Sequence, residues 1–154
     1  MSYDSWKTYS ENSDRLLLHG TAVAVGLRGL LILGPSGSGK SRLALEMIAF
    51  GAKLVCDDRV WLNKISTGFQ LQAPEQTKGR IEARGLGLLA LKYKTPVSLS
   101  YCLDLSLENK ARLPQASEKT KLGLKVSILP GKPIVPQAAA LMVLLENGFV
   151  RNDK

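Results

Sequence analysis

Gly34-Pro35-Ser36-Gly37-Ser38-Gly39-Lys40-Ser41 is the stretch on which the reading of this chain turns. It fits G-x-x-x-x-G-K-[ST] at every position, the pattern of a loop that cradles phosphates. Glycines at 34, 37 and 39 open backbone conformations closed to residues with a side chain, so successive N–H groups turn inward on phosphate oxygens. Lys40 is placed to reach the β- and γ-phosphates of a nucleotide, and Ser41 to set its hydroxyl on Mg²⁺. The flanks agree with this reading. Residues 30–33 (LLIL) form a short apolar run bounded by glycines, as in a strand buried on both faces. Residues 42–50 carry Leu43, Met47 and Phe50 at helical spacing, and Gly51 is a natural stop. The N-terminus of that helix would direct about half a positive charge at the phosphates.

Outward from the loop, the pattern alternates between strand and helix. Residues 16–19 and 21–25 read as strands separated by Gly20. Residues 53–56 form another short strand, which ends in Asp57-Asp58. Residues 60–65 and 69–71, joined by a turn at Thr67-Gly68, read as a hairpin. Residues 76–84 are polar and basic and lead into Gly85-Leu86-Gly87-Leu88-Leu89. Strand character returns at 97–105 and 122–129, with a polar loop expected over 108–121. Residues 138–145 are apolar nearly all round, which predicts a buried C-terminal helix closed by Gly148. The order predicts one α/β domain, a mixed sheet with flanking helices. Residues 1–15 are read as a polar N-terminal extension and residues 16–147 as the phosphate-loop core.

Composition supports a single self-sufficient domain. The chain has 154 residues, 45% hydrophobic and 22% charged, enough to build a core without staples. Two cysteines, Cys56 and Cys102, are too few for a disulfide framework and fit a reducing compartment. No apolar run reaches the length of a membrane span, and residues 1–15 lack the basic-then-apolar profile of an export signal. A cytoplasmic location is the expectation. The net charge is +8. Residues 76–132 hold 11 Lys+Arg against 4 Asp+Glu, a net of +7. That excess suggests an anionic partner. Few aromatics (6%) and the lack of a base-reading motif argue against nucleic acid.

Asp57-Asp58 follows the loop's helix directly, at the end of a strand. Carboxylates there can hold Mg²⁺ or accept a proton from an attacking hydroxyl. Their mutual repulsion is a means of raising one pKa toward a useful range. Cys56 reads as a small buried apolar residue, made unreactive by the carboxylate beside it.

His19-Gly20-Thr21, the loop at 34–41, Cys56-Asp57-Asp58 and Ile81-Glu82-Ala83-Arg84-Gly85-Leu86-Gly87, taken together, resemble the C-terminal catalytic domain of HPr kinase/phosphorylase. The resemblance runs from about residue 16 to residue 147. It implies a bacterial serine kinase for the phosphocarrier HPr, with a phosphate-loop fold related to phosphoenolpyruvate carboxykinase. ATP and Mg²⁺ are the implied cofactors. Lys40 and Ser41 would serve phosphate and metal. Asp58 resembles the proton acceptor that activates the target serine, and Asp57 would assist the metal or orient its partner. Glu82, in a run similar to the family's L-E-[IV]-R-G-L-G signature, matches a Mg²⁺ ligand. His19 matches an active-site histidine near the phosphate, and Arg112 resembles an arginine on a mobile loop. Residues 128–132 resemble a segment linked to dephosphorylation.

Further implications are phosphorolysis of phosphoserine by inorganic phosphate, with release of pyrophosphate, and assembly into homo-oligomers, hexamers in the family. The family's fuller form carries an additional N-terminal domain, so this chain is expected to be a short form built of the catalytic domain. Two other readings stay open at this point. One is an ATP-binding sensory or interaction module without efficient transfer. The other is a small-molecule kinase of the same fold.

Overall fold

The structure, a computed structural model, describes residues 4–109 and 117–150. Strands and helices run in the order β1 (Thr8–Glu11), β2 (Arg15–His19), β3 (Thr21–Val25), β4 (Arg28–Leu33), α1 (Lys40–Ala49), β5 (Lys53–Cys56), β6 (Arg59–Ile65) and β7 (Gly68–Gln72). They continue with β8 (Arg80–Ala83), β9 (Gly87–Ala90), β10 (Val97–Glu108), β11 (Ser117–Lys121), β12 (Leu124–Lys132) and α2 (Gln137–Asn147). Ten strands form one mixed sheet along the path β1-β2-β6-β7-β10-β4-β3-β5, with β12 on β10 and β11 on β12. β8 and β9 make a separate hairpin.

Strand β4 shows why both faces of the sheet are covered. Successive strand side chains point to opposite faces. Leu31 and Leu33 enter a core with Leu16, Leu18, Leu62 and Leu71. Leu30 and Ile32 enter a second core with Leu43, Met47, Leu141 and Leu145 of the two helices. All four β4 side chains are fully buried, as the short apolar run predicts. Each such side chain contributes about 1.5–3 kcal/mol of hydrophobic stabilisation. β4 lies parallel to β10 and antiparallel to β3, and β3 is antiparallel to β5. β4 and β5 therefore run the same way. Their C-terminal ends and the start of β3 share one edge, where the loop 34–39, Asp57-Asp58 and Gly20-Thr21 emerge.

Four expectations need amendment. Residues 117–121 form β11 rather than loop; that strand has no apolar residue and pairs antiparallel with β12, so no hydrophobic alternation announces it. The polar run 76–84 contains β8, held by pairing with β9. The stretch before residue 16 supplies β1, paired with β2, and buries Trp6. Helix α2 is less enclosed than its sequence suggests, with Val143 exposed while Ala138, Leu141, Met142 and Leu145 pack inward. No described helix is long and apolar enough to cross a membrane.

Candidate active site

A cavity of about 710 Å³ opens at that sheet edge, lined by Ser36 to Arg42, His19, Thr21, Asp58, Glu82 and Arg84 among others. Its floor is the phosphate loop. Gly37 (φ 83°) and Gly39 (φ 100°) hold left-handed conformations that residues with a Cβ rarely adopt. At Gly34 the constraint is space as well, since a Cβ would stand 2.6 Å from Ser38 Oγ. Helix α1 makes its first bond from Leu43 N–H to Gly39 C=O. The N–H groups of residues 39–42 therefore lack intrahelical acceptors, as at every helix start. Ser38 Oγ is also buried without a partner among the described residues. These unmet donors around an open cavity fit a polyphosphate.

Lys40 is buried and donates Nζ–H bonds to the carbonyls of Gly34 (2.8 Å) and Pro35 (3.1 Å). Gly34 and Pro35 thus brace the lysine, while Ser36 to Gly39 line the cavity. Burial lowers the Lys40 pKa, against the raising influence of Asp58 and Asp57.

The two adjacent carboxylates take different places. Asp57 is buried. Its Oδ1 accepts hydrogen bonds from Thr21 Oγ1 (2.9 Å) and Ser41 Oγ (2.7 Å), and its Oδ2 from the backbone N–H of Glu82 (3.1 Å). One carboxylate thus ties together β3, α1 and β8. Asp58 turns the other way, at φ 71°, with its side chain 67% exposed at the cavity rim and Oδ1 3.3 Å from His19 Nε2. His19 is drawn below its ordinary pKa by burial first and by Lys40, partly offset by Asp58, with Lys7 adding to the lowering. The buried Cys56 thiol is pushed well up by burial and by Asp57, in line with an inert core residue.

Of the residues singled out in the sequence, the structure brings His19, Lys40, Ser41, Asp57, Asp58 and Glu82 to one place. Arg112 lies outside the described residues. Thr21 carried no assigned role, yet it is one of the donors to Asp57; its hydroxyl in an otherwise apolar strand is the signal that marks it. Ser41 and Glu82 both line the cavity, together with the carboxylate residues Glu46 and Asp58. Among the described residues no cluster of three or more His, Cys, Asp or Glu is arranged around a metal. Such a sparse oxygen set suits Mg²⁺, which keeps several waters and takes one or two protein ligands beside substrate phosphates.

Fold and loop together define a phosphate-loop α/β domain with a carboxylate–histidine pair at its rim. The family described as HPr Serine kinase C-terminal domain matches residues 10–95, more than half of the chain, and the chain belongs to that family. The HPr kinase/phosphorylase of Aromatoleum aromaticum is 36% identical over 148 residues, covering 88% of this chain and 47% of that protein. The protein of the same name from Caldicellulosiruptor bescii is 45% identical over 118 residues, covering 74% of this chain and 38% of that one. The chain thus spans less than half the length of these curated relatives. Among solved structures, the Hpr(Ser) kinase/phosphatase from Coxiella burnetii shares the fold, with a TM-score of 0.69 and 24% identity. That likeness covers 85% of this chain and 94% of the other.

Proposed function

We propose that the chain is an ATP-dependent protein serine kinase acting on the phosphocarrier HPr, with phosphorolysis of phosphoserine as the reverse activity. The observation that carries this reading is the division of labour between adjacent carboxylates. Asp57 is consumed by Ser41, Thr21 and Glu82 N–H, whereas Asp58 stands at the rim beside His19, where an acceptor hydroxyl would arrive. A module that only bound nucleotide would need no such rim carboxylate.

In the forward direction Asp58 takes the serine proton as the serine oxygen bonds to the γ-phosphorus and ADP departs. Lys40 and the loop N–H groups hold the phosphates and offset charge on the moving group. His19 orients Asp58. Asp57 fixes the Ser41 hydroxyl. Mg²⁺, held by Ser41 and Glu82, would supply further charge neutralisation across the phosphate oxygens. Arg112 is assigned to the same task, and the chain is proposed to act as a homo-oligomer in the cytoplasm.

Incubation with labelled ATP, Mg²⁺ and purified HPr tests the reading. Label on an HPr serine is expected, and added inorganic phosphate should release it as pyrophosphate. Unlabelled HPr with ATP consumed only in the presence of small metabolites would instead identify a small-molecule kinase. ATP binding without any turnover would identify a sensory module.

A further inference from the structure

The strand before residue 16 carries a bulge beside the site. Thr8 pairs with Leu18 and Ser10 with Leu17, so Tyr9 is the extra residue. A bulge re-aims the side chain it carries. The Tyr9 ring meets the His19 ring edge-on, with centroids 6.2 Å apart. The Arg59 guanidinium lies 4.3 Å from the Tyr9 ring centroid and Lys7 Nζ 5.9 Å from it. His19 and Arg59 are direct partners across β2 and β6, so their side chains leave the same face.

Arg59 also follows Asp58 in the chain, and neither Arg59 nor Lys7 lines the phosphate cavity. Arg59 shares a face with His19, which holds Asp58 at 3.3 Å, and a guanidinium on that face can pair with a carboxylate through two hydrogen bonds. Among the described residues, however, the one basic side chain within 4 Å of the Asp58 carboxylate is His19, at 3.3 Å. Exposed ion pairs and exposed cation–π contacts are of similar strength. A ring already aimed by the bulge therefore decides where the guanidinium rests.

We propose that Tyr9 is a positioning residue: its ring holds the Arg59 guanidinium and keeps it off the Asp58 carboxylate, which stays paired with His19 and open to an acceptor hydroxyl. A guanidinium on Asp58 would occupy the carboxylate oxygens and favour the charged form, weakening it as a proton acceptor. The effect on transfer rests on the kinase reading above; the placement of Arg59 does not.

His19 is the sole histidine, so the untagged full chain gives one imidazole signal in an NMR titration. The charged and titratable groups around it are Lys7 and Tyr9 from the β1 segment, Lys40 from α1, Asp58 from the β5–β6 turn and Arg59 from β6. Tyr9→Phe keeps the ring and is expected to titrate as the wild type does. In Tyr9→Ala, Arg59 falls onto Asp58 and cancels the carboxylate that raises the His19 pKa. Arg59→Gln should then raise the pH at which the imidazole titrates by more in the Tyr9→Ala background than in the wild-type background. Transfer to HPr should fall about tenfold in the single variant and largely recover in the double. Tyr9→Leu, which keeps apolar bulk without a π face, should behave as Tyr9→Ala and covers the case where the smaller side chain unfolds the strand. An equal shift from Arg59→Gln in the wild-type and Tyr9→Ala backgrounds overturns the proposal. A wild-type chain that labels no HPr defeats the kinase reading alone, because the titration still decides where Arg59 sits.

Discussion

Ser41 Oγ donates a 2.7 Å hydrogen bond to Asp57 Oδ1, joining the first turn of α1 to the end of β5. The same oxygen accepts from buried Thr21, and the other carboxylate oxygen accepts from Glu82 N–H. Asp57→Ala would strip three donors of their acceptor at once. A buried polar group left unpaired costs about 1–3 kcal/mol, so the melting temperature should fall by several degrees. Nucleotide affinity should fall with it, because Ser41 loses the group that orients it. Asp57→Asn keeps a carbonyl acceptor and should lie between. Melting curves with calorimetric ATP·Mg²⁺ titrations check both; a fully stable Asp57→Ala with native affinity would show that the junction is unimportant.

Asp58→Asn separates chemistry from binding. Asp58 sits at φ 71°, a conformation that asparagine tolerates at least as well as aspartate. The exposed side chain takes no part in the core, so neither fold nor loop should suffer. Transfer to HPr should drop by at least about a thousandfold, the upper part of the range for losing a positioned general base. ATP affinity should change little. Wild-type transfer in this variant would reassign the base.

Lys40→Ala removes two hydrogen bonds to the loop as well as a charge that lines the cavity. Both ATP affinity and transfer should weaken, affinity by about tenfold or more, equivalent to about 1.4 kcal/mol. Lys40→Met loses the same two hydrogen bonds and the charge but keeps the bulk of the stem, which separates packing from the contribution of the ammonium. Isothermal titration with ATP and ADP reads the difference. Unaltered affinity in both variants would remove Lys40 from the binding site.

The loop, β4 and α1 were legible because several independent signals coincide there: glycine chemistry, a doubly buried apolar run and helical spacing. Strands β1, β9 and β11 were not legible. Their side chains are exposed except for the half-buried Lys121, so backbone pairing holds them and no alternation marks them. β8 does alternate, with Ile81 and Ala83 inward and Arg80 and Glu82 outward, but four residues are too few to stand out from a basic run. The residue types of the candidate site stand out in the sequence, but the roles proposed for Asp57 and Asp58 come from the resemblance and not from the residues. Asp57 and Asp58 are chemically identical neighbours; only the left-handed turn at Asp58 sends one inward and the other to the rim. Tyr9 lay hidden for a related reason, because its position depends on a bulge that the polar sequence around it does not announce.

Stability should also report on His19. Its pKa in the folded chain lies below the ordinary 6.5, chiefly through burial and secondly through Lys40. The unfolded chain therefore binds a proton more readily than the folded one, and stability rises with pH across that interval. The stabilising difference is fully present above pH 6.5 and fades as pH falls through 6.5 toward the lower folded value. His19 is the only histidine, and histidine is the one side chain whose unperturbed pKa falls between about pH 5 and 8. Denaturant midpoints should therefore decline on acidification within that window. His19→Asn, which keeps a polar side chain opposite Asp58, should flatten the decline at its upper end, leaving the carboxylates to act at lower pH. A slope that persists unchanged in His19→Asn would place the titrating group elsewhere and would leave the burial of His19 without consequence for stability.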